Sequence, residues 1–196
     1  MLHIVDDEEV ICDALTLLAH SRSIAATTYE SAAAFLAALD RATGFNPQGE
    51  CLLLDVRMPD ISGSALFDIL TARGLTQRLP VIFLTGHGDV PMAVDTLKRG
   101  AFDFFEKPFN GNKLMDRVLE ALTASRAAGA SDAVQARLAS LSAREREVLD
   151  LILAGKMNKV IADELGISMR TVEVHRAHIF DKMNVKTAVE LARLLK

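Results

Sequence analysis

The sequence predicts an α/β domain with a parallel sheet, followed by a smaller all-α unit. From residue 1 to about 122, short apolar runs alternate with helical patterns, and this alternation indicates crossover connections and a sheet covered on both faces. From Leu141 onward no strand pattern remains. The formal charge also changes sign, from −7 over residues 1–122 to +3 over 123–196. We therefore predict two domains, 1–122 and 141–196, joined by a partly helical linker over 123–140.

The first domain contains five predicted strand–helix units. Most of the strands are short runs rich in Val, Ile, Leu or Phe and bounded by polar or turn residues, and Ser31 and Ser62 provide N-caps for the second and third helices. The strands are predicted at 2–5, 24–28, 51–55, 80–84 and 102–105. The helices are predicted at 8–20, 31–40, 62–72, 89–99 and 111–126.

The remainder of the chain is predicted to be helical. Residues 123–140 are rich in Ala, Ser and Arg, and their first part could extend the fifth helix until Gly129 breaks it. Beyond the linker, Ser142 and Glu145 have the spacing of a capping box. The four helices of the second domain are predicted at 142–154, 158–165, 168–182 and 186–195.

Composition limits the class of protein. No apolar run approaches the length of a membrane span, and the N-terminus lacks the basic region and cleavage site of a signal peptide. Cys12 and Cys51 both lie in apolar segments, which predicts reduced, buried thiols. A cytoplasmic protein with no membrane partner is expected, and the basic second half favours nucleic acid as its partner.

Polar side chains follow the predicted strands where each strand ends. Asp6 and Asp7 follow the first strand, Asp55 ends the third, Thr85 follows the fourth, and Lys107 follows the fifth. Because ligands of an open parallel sheet bind at the carboxyl ends of its strands, these groups should surround one crevice. Clustered carboxylates suit a divalent cation, and a carboxylate can attack phosphorus to form an aspartyl phosphate.

The first domain resembles the receiver domain of bacterial response regulators. The matching motifs are Val5-Asp6-Asp7-Glu8, Leu54-Asp55-Val56-Arg57-Met58-Pro59-Asp60, Thr85-Gly86 and Lys107-Pro108-Phe109. The resemblance implies a flavodoxin-like fold with strand order 2-1-3-4-5. It also implies that Asp55 is the phosphoacceptor. In this family Asp7, Asp55 and the backbone carbonyl of Arg57 ligate Mg²⁺ (or Mn²⁺), and Asp6 acts through a bound water.

The resemblance assigns further roles around the pocket. Lys107 would pair with the acceptor carboxylate and then with the phosphoryl oxygens, while Thr85 would donate its hydroxyl to them. Phe104 falls at the position of the switch aromatic, and the Lys107–Pro108 bond is a candidate cis peptide. Arg57 and His87 flank the path of the hydrolytic water, so we predict that they set the dephosphorylation rate.

The second domain contains a predicted helix-turn-helix. A helix at 158–165 is followed by a turn containing Gly166, and Ser168 caps the next helix. The start of such a recognition helix enters the major groove of DNA. The candidate DNA contacts are Arg170, Thr171, Glu173, Val174, Arg176 and Ala177, together with Lys159 on the preceding helix. His175 and His178 are interpreted as packing and phosphate contacts, not metal ligands.

The helix-turn-helix resembles the LuxR-type DNA-binding domain of the FixJ and NarL group of response regulators. The residues that carry the resemblance are Leu141-Ser142-Ala143-Arg144-Glu145, Asn158-Lys159-Val160-Ile161-Ala162, Gly166-Ile167-Ser168 and Thr171-Val172-Glu173-Val174-His175-Arg176. The two resemblances imply a phosphorylation-switched transcriptional regulator, expected to be an activator. Its implied partners are a sensor histidine kinase, double-stranded promoter DNA, RNA polymerase and, when phosphorylated, a second copy of itself.

Phosphorylation is expected to change the surface formed by the fourth helix, fifth strand and fifth helix. Its candidate exposed residues are Val90, Met92, Ala93, Lys98, Arg99, Lys113 and Arg117. Dimerisation through this surface and release of an inhibitory contact between the domains both remain open as routes to DNA binding.

Two other functions compete with this interpretation. The first is a dimeric DNA-binding regulator that works without phosphorylation. The second is a Mg²⁺-dependent phosphatase of the haloacid dehalogenase type, which needs a second Asp two residues after the nucleophile. Arg57 occupies that position, so we expect no enzymatic activity beyond phosphorylation and dephosphorylation of Asp55.

Overall fold

The computed structural model describes residues 1–86 and 90–195, and the side chains of all of these except 90–93. It divides into two compact units, Met1–Gly129 and Ala130–Lys196. In the described part of the chain, no helix is both long enough and apolar enough to cross a lipid bilayer.

The first unit contains a five-stranded parallel sheet in the order β2-β1-β3-β4-β5, which confirms the predicted topology. The strands are β1 Leu2–Val5, β2 Ala26–Tyr29, β3 Cys51–Asp55, β4 Val81–Thr85 and β5 Asp103–Glu106. The predicted second strand, 24–28, starts too early. The backbone N–H of Ile24 donates to the Ala19 carbonyl and so closes the end of the preceding helix instead of joining the sheet.

Five helices alternate with these strands in the described part of the chain: α1 Glu9–Ser21, α2 Ala32–Arg41, α3 Gly63–Ala72, α4 Val90–Lys98 and α5 Gly111–Ala139. Ser31 and Ser62 cap α2 and α3 as predicted, because their side chains accept from the N–H groups of Ala34 and Ala65. Asp89, the first residue predicted for the fourth helix, lies outside the described residues.

The fifth helix is longer than predicted and does not break at Gly129. The guanidinium of Arg78 fills the space that a side chain at Gly129 would need, and it donates to the Ser125 carbonyl at 2.8 Å. Gly129 therefore permits close packing of Arg78 against the helix, a function that a local sequence pattern does not distinguish from helix termination.

Two apolar clusters cover the two faces of the sheet. One packs α1 and α5 against β1, β3 and β4, and includes Leu15, Leu53, Ile82 and Leu114. The other packs α2 and α3 against the opposite face, and includes Phe35, Leu54, Phe67 and Phe83. Cys12 and Cys51 are buried and unpaired, as the sequence predicted.

The second unit is built from α6 Ala143–Leu153, α7 Asn158–Leu165, α8 Met169–Met183 and α9 Ala188–Leu194 in its described part. Ser142 and Glu145 form the predicted capping box at the start of α6. Gly166 adopts the left-handed conformation that ends α7, with φ of 63°, and Ser168 caps α8. Val148, Ile161 and other apolar side chains form a separate core within this unit.

Candidate functional site

The sheet register places Asp6 beside Asp55. Val5 pairs with Leu54 in the parallel ladder, so the next residues on β1 and β3 emerge side by side at the carboxyl edge of the sheet. Both carboxylates are buried, with relative exposures of 1% for Asp6 and 6% for Asp55. Two buried acids at one edge require a positive charge between them.

Lys107 provides that charge. Its Nζ donates to Asp6 Oδ2 and to Asp55 Oδ1, both at 2.8 Å. Lys107 follows β5, and its backbone N–H donates to the Thr85 carbonyl at 2.6 Å, which holds the residue against the end of β4. The Lys107–Pro108 peptide bond is cis, as predicted.

The other oxygen of each carboxylate accepts from a backbone N–H. Asp55 Oδ2 accepts from the N–H of Arg57 at 2.7 Å, and Asp6 Oδ1 accepts from that of Glu8 at 3.0 Å. Each side chain is therefore fixed by one local backbone donor and by the shared lysine. The Arg57 side chain is exposed to solvent.

Burial dominates the electrostatics of the acid pair. It raises the pKa of Asp55 above its usual range, and the nearby Asp6 raises that pKa further, while hydrogen bonding to Lys107 offsets only part of the increase. Burial alone would lower the pKa of Lys107, but its hydrogen bonds to Asp55 and Asp6 outweigh burial and leave that pKa raised. Lys107 therefore stays protonated, shared between two carboxylates that compete for it.

Thr85 and Phe104 also lie near the carboxyl edge. Thr85 is the buried last residue of β4 and pairs with Glu106 on β5. Phe104 on β5 is half-buried and packs at the margin of the apolar cluster beneath α2 and α3. His87 lies outside the described residues, so its predicted effect on dephosphorylation has no structural account.

The donor set is compatible with a hard divalent cation. Asp7 is exposed and directly follows Asp6, so a third carboxylate is available at the same edge. Among the described residues, no three Asp, Glu, His or Cys side chains are already arranged as a metal site. Mg²⁺ requires only one or two protein carboxylates, because it retains several waters. Asp6, Asp7 and Asp55 fit that requirement chemically, although Lys107 bridges two of them here.

Sequence reasoning missed the importance of Gly63, the first residue of α3. Its N–H donates to the Val56 carbonyl at 3.0 Å, and a Cβ at this position would overlap the carbonyl oxygen of Asp55. The predictable signal was a glycine next to the capping residue Ser62. Only the fold reveals that it lets the helix start directly against the acceptor strand.

The second unit exposes most of the predicted DNA contacts. Arg170, Glu173, Val174 and Ala177 are exposed on α8, as is Lys159 on α7. Thr171 and Arg176 are half-buried. The Thr171 hydroxyl lies 2.8 Å from the hydroxyl of the cap Ser168, and the Arg176 guanidinium lies 5.3 Å from the centre of the Phe180 ring. Two of the seven candidates are thus partly occupied by contacts that orient them.

The two histidines of α8 differ in their surroundings. His175 is half-buried, whereas His178 is exposed with its Nδ1 3.8 Å from Glu145 Oε1. Neither belongs to a group of potential metal ligands among the residues that the structure covers. The buried Glu145 accepts from Lys182 Nζ at 2.7 Å and from the Ser142 N–H at 2.8 Å, so it ties α8 to the start of α6.

Comparison with known proteins assigns both halves of the chain to families. Residues 2–119 match the response regulator receiver domain, and residues 139–195 match the luxR family of bacterial regulatory proteins. The chain is 52% identical to the C4-dicarboxylate transport transcriptional regulatory protein DctR of Rhodobacter capsulatus, over 98% of both proteins. It is 44% identical to the transcriptional regulatory protein FixJ of Azorhizobium caulinodans, over 98% of this chain and 90% of FixJ.

Solved structures agree with this assignment. The response regulator StyR is 37% identical and superposes with a TM-score of 0.72, over 99% of this chain and 96% of StyR. Full-length FixJ from B. japonicum is 40% identical with a TM-score of 0.58, over 98% of this chain and 94% of FixJ.

Proposed function

Because the chain belongs to the response regulators that join a receiver domain to a LuxR-type DNA-binding domain, we propose that phosphorylation of Asp55 by a sensor histidine kinase controls its binding to promoter DNA. The observation that carries this proposal is the buried Asp55 carboxylate, which shares the Lys107 ammonium with Asp6. We propose that the receiver domain spans residues 1–122, the linker 123–140 and the DNA-binding domain 141–196.

The proposed chemistry is nucleophilic. A carboxylate oxygen of Asp55 attacks the phosphorus of a phosphohistidine, a new P–O bond forms, and the P–N bond to the imidazole breaks. The pocket already contains an ammonium at hydrogen-bonding distance from the nucleophile. Lys107 would offset negative charge on the transferred group, and the Thr85 hydroxyl would donate to one of its oxygens.

Asp6, Asp7, Asp55 and the backbone carbonyl of Arg57 would hold the divalent cation, Mg²⁺ or Mn²⁺. When bound, the ion supplies positive charge that offsets the repulsion between the carboxylates and the incoming phosphoryl group. The exposed position of Asp7 and the backbone donors that fix Asp6 and Asp55 support this donor set.

The added group changes the charge balance of the pocket. Phosphorylation adds roughly −1.5 to −2 charge and three acceptor oxygens, and these oxygens would attract the Thr85 hydroxyl and the Lys107 ammonium. Phe104 would then move toward the space left by Thr85, and the surface formed by α4, β5 and α5 would change. Of the predicted surface residues, Lys98, Arg99 and Lys113 are exposed, Arg117 is half-buried, and the side chains of 90, 92 and 93 lie outside the described set.

We propose that this surface pairs two receivers, which would bring two copies of α8 to adjacent half-sites of a two-fold operator. Arg170 and Arg176 would contact guanine or phosphate, and Glu173 would accept from cytosine. Val174 and Ala177 would touch thymine methyls, and Lys159 and Thr171 would add further DNA contacts. The dimer would then recruit RNA polymerase as an activator.

Sedimentation of the full-length protein tests the proposal. Wild-type protein should gain dimer when acetyl phosphate and Mg²⁺ are added, and Asp55→Asn should show no gain while keeping its fold. Asp60→Asn is the matched control, because Asp60 is an exposed acid on the same loop and should leave the gain intact.

The outcomes separate the alternatives. An unchanged dimer gain in Asp55→Asn would eliminate Asp55 as the trigger. Equal dimerisation and DNA binding with and without the phosphodonor would instead support the regulator that works unphosphorylated.

A further inference from the structure

A cavity of about 290 Å³ lies in the receiver unit, on the face of the sheet that α2 and α3 cover. It is bounded by the ends of α2 and α3, by His3 of β1, by Tyr29 at the end of β2 and by Glu50 just before β3, and rings line much of its wall. The Tyr29 and Phe35 rings meet edge to face with their centres 5.2 Å apart, and the His3 ring lies 5.7 Å from Phe35. Phe45 closes another side, with Arg78 5.2 Å from its ring centre.

The inner end of the cavity is polar. The Tyr29 hydroxyl lies 3.1 Å from His3 Nδ1, and His3 Nε2 lies 3.2 Å from Glu50 Oε2. Glu50 is only 9% exposed, and its other carboxylate oxygen accepts from the Asn46 N–H at 2.5 Å. A buried carboxylate whose oxygens each have a second lone pair can accept another hydrogen bond from a molecule in the cavity.

The rim of the cavity carries both signs of charge. Asp40 at the end of α2 accepts from the Arg73 guanidinium at 2.6 Å, and this pair lies partly in solvent. Glu50 inside already has two donors. Glu50 would repel an anion in the cavity. A cation would have to give up its hydration shell, and Glu50, which is already hydrogen-bonded, would compensate for only part of that cost, so the cavity favours an uncharged molecule.

The cavity is separate from the phosphoacceptor site. Glu50 directly precedes β3 and Asp55 ends it. The intervening strand rises about 3.3 Å per residue, which puts the Cα atoms of Glu50 and Asp55 on the order of 16 Å apart. Mostly apolar walls with a few convergent polar groups are typical of small-molecule sites.

We propose that this cavity binds a small uncharged aromatic compound of one or two rings that carries a hydrogen-bond donor. The rings of Tyr29, Phe35 and Phe45 contact the faces and edges of the compound, and Glu50 accepts its donor. Glu50 also connects the cavity to α5, because the Glu50 N–H donates to the Ser125 hydroxyl at 2.9 Å. This site uses none of the side chains assigned to the phosphorylation of Asp55.

Tyr29 reports on the cavity directly, because it is the single tyrosine of the chain. Full-length protein labelled with ¹³C-tyrosine should give one set of ring signals, and titration with indole should shift them to saturation. A dissociation constant on the order of 0.1–1 mM is expected for so small a ligand. 1-Methylindole, which lacks the N–H donor, should bind at least fivefold more weakly.

Matched variants on α2 locate the binding. Ala38 lines the cavity, so Ala38→Leu should weaken indole binding at least tenfold. The adjacent Ala37 is exposed and does not line the cavity, so Ala37→Leu should bind indole as the wild type does. Ala42 is exposed at the cavity mouth, and Ala42→Leu gives a second blocked variant with little risk to folding.

The proposal is overturned if indole leaves the Tyr29 signals unmoved or shifts them linearly without saturation. It is also overturned if indole binds Ala38→Leu and Ala42→Leu as tightly as it binds Ala37→Leu. Equal binding of indole and 1-methylindole would show that the ligand needs no hydrogen-bond donor, and would contradict the role proposed for Glu50 as its acceptor.

Discussion

The start of α3 packs directly against the acceptor strand, and Gly63→Ala perturbs this contact. An added Cβ would lie 3.0 Å from the Asp55 carbonyl carbon and 3.1 Å from Val56 Cα, and closer still to the Asp55 carbonyl oxygen. Carbon atoms in contact normally stay ~3.5 Å apart, and the neighbours here are backbone atoms of a buried strand end. Either the helix or the strand must therefore move.

The cost follows from this overlap. Overpacking a closely packed site by one methyl group costs about 1–3 kcal/mol. Replacing glycine by alanine in a helix offsets part of it, by up to about 1 kcal/mol. Gly111→Ala isolates the overlap, because Gly111 also begins a helix but its added Cβ would meet only the end of the Leu18 side chain, 2.9 Å from Cδ2.

Thermal unfolding monitored by Tyr29 fluorescence follows the receiver unit, because Tyr29 is the only tyrosine and the chain has no tryptophan. Gly63→Ala should unfold at a lower temperature than Gly111→Ala, by about 4–12 °C for a difference of 1–3 kcal/mol. Equal unfolding temperatures for the two variants would refute the argument that backbone contact at Asp55 requires a glycine.

Two further predictions concern pH. Because the pKa of Asp55 is raised in the fold, ionisation of Asp55 destabilises the receiver, and Asp55→Asn should unfold at a higher temperature than wild type at pH 7 in metal-free buffer. The difference in unfolding temperature should vanish below the ordinary aspartate pKa of 3.8. A lower unfolding temperature for Asp55→Asn at pH 7 would contradict this reasoning. Hydrogen bonds from Lys182 and Ser142 lower the pKa of Glu145 to about 2, so Glu145→Gln should destabilise the DNA-binding unit by about 1–3 kcal/mol above pH 4.5. Hydrogen exchange in α6 measures this loss of stability, which should disappear as the pH falls toward 2. Glu147→Gln, at an exposed position, is the control, and a loss that does not change with pH would exclude the charge of Glu145 as its cause.

The sequence predicted the sheet well because most of its strands are short, rich in apolar residues and bounded by turn residues. The bounds of β1 and β3 were predicted to the residue, and the predicted strand order 2-1-3-4-5 matches the structure. The errors occurred where a tertiary contact overrode a local pattern. Ile24 closes a helix end instead of joining β2, and Gly129 accommodates Arg78 instead of ending α5.

The composition of the candidate site was predictable, and the resemblance implied the Lys107–Asp55 pair, but the second bond from Lys107 to Asp6 was not predicted. A carboxylate at the end of a strand is visible in the sequence, and so is a lysine before a proline. Lys107 is 101 residues from Asp6 and 52 residues from Asp55 along the chain, so only the folded structure brings its ammonium to both carboxylates. The predicted roles of Asp7, Arg57 and Phe104 remain predictions.

Alternating hydrophobic runs were enough to predict an α/β domain followed by a helix-turn-helix, because hydrophobic periodicity and turn chemistry are local properties of the chain. The motifs at the strand ends carried the resemblance to a receiver domain. The shared lysine, the glycine that admits α3 to the acceptor strand and the aromatic cavity around Tyr29 were decided only by tertiary structure. Each depends on distances between residues remote in sequence, and those distances are set by how helices and strands pack, which no local pattern records.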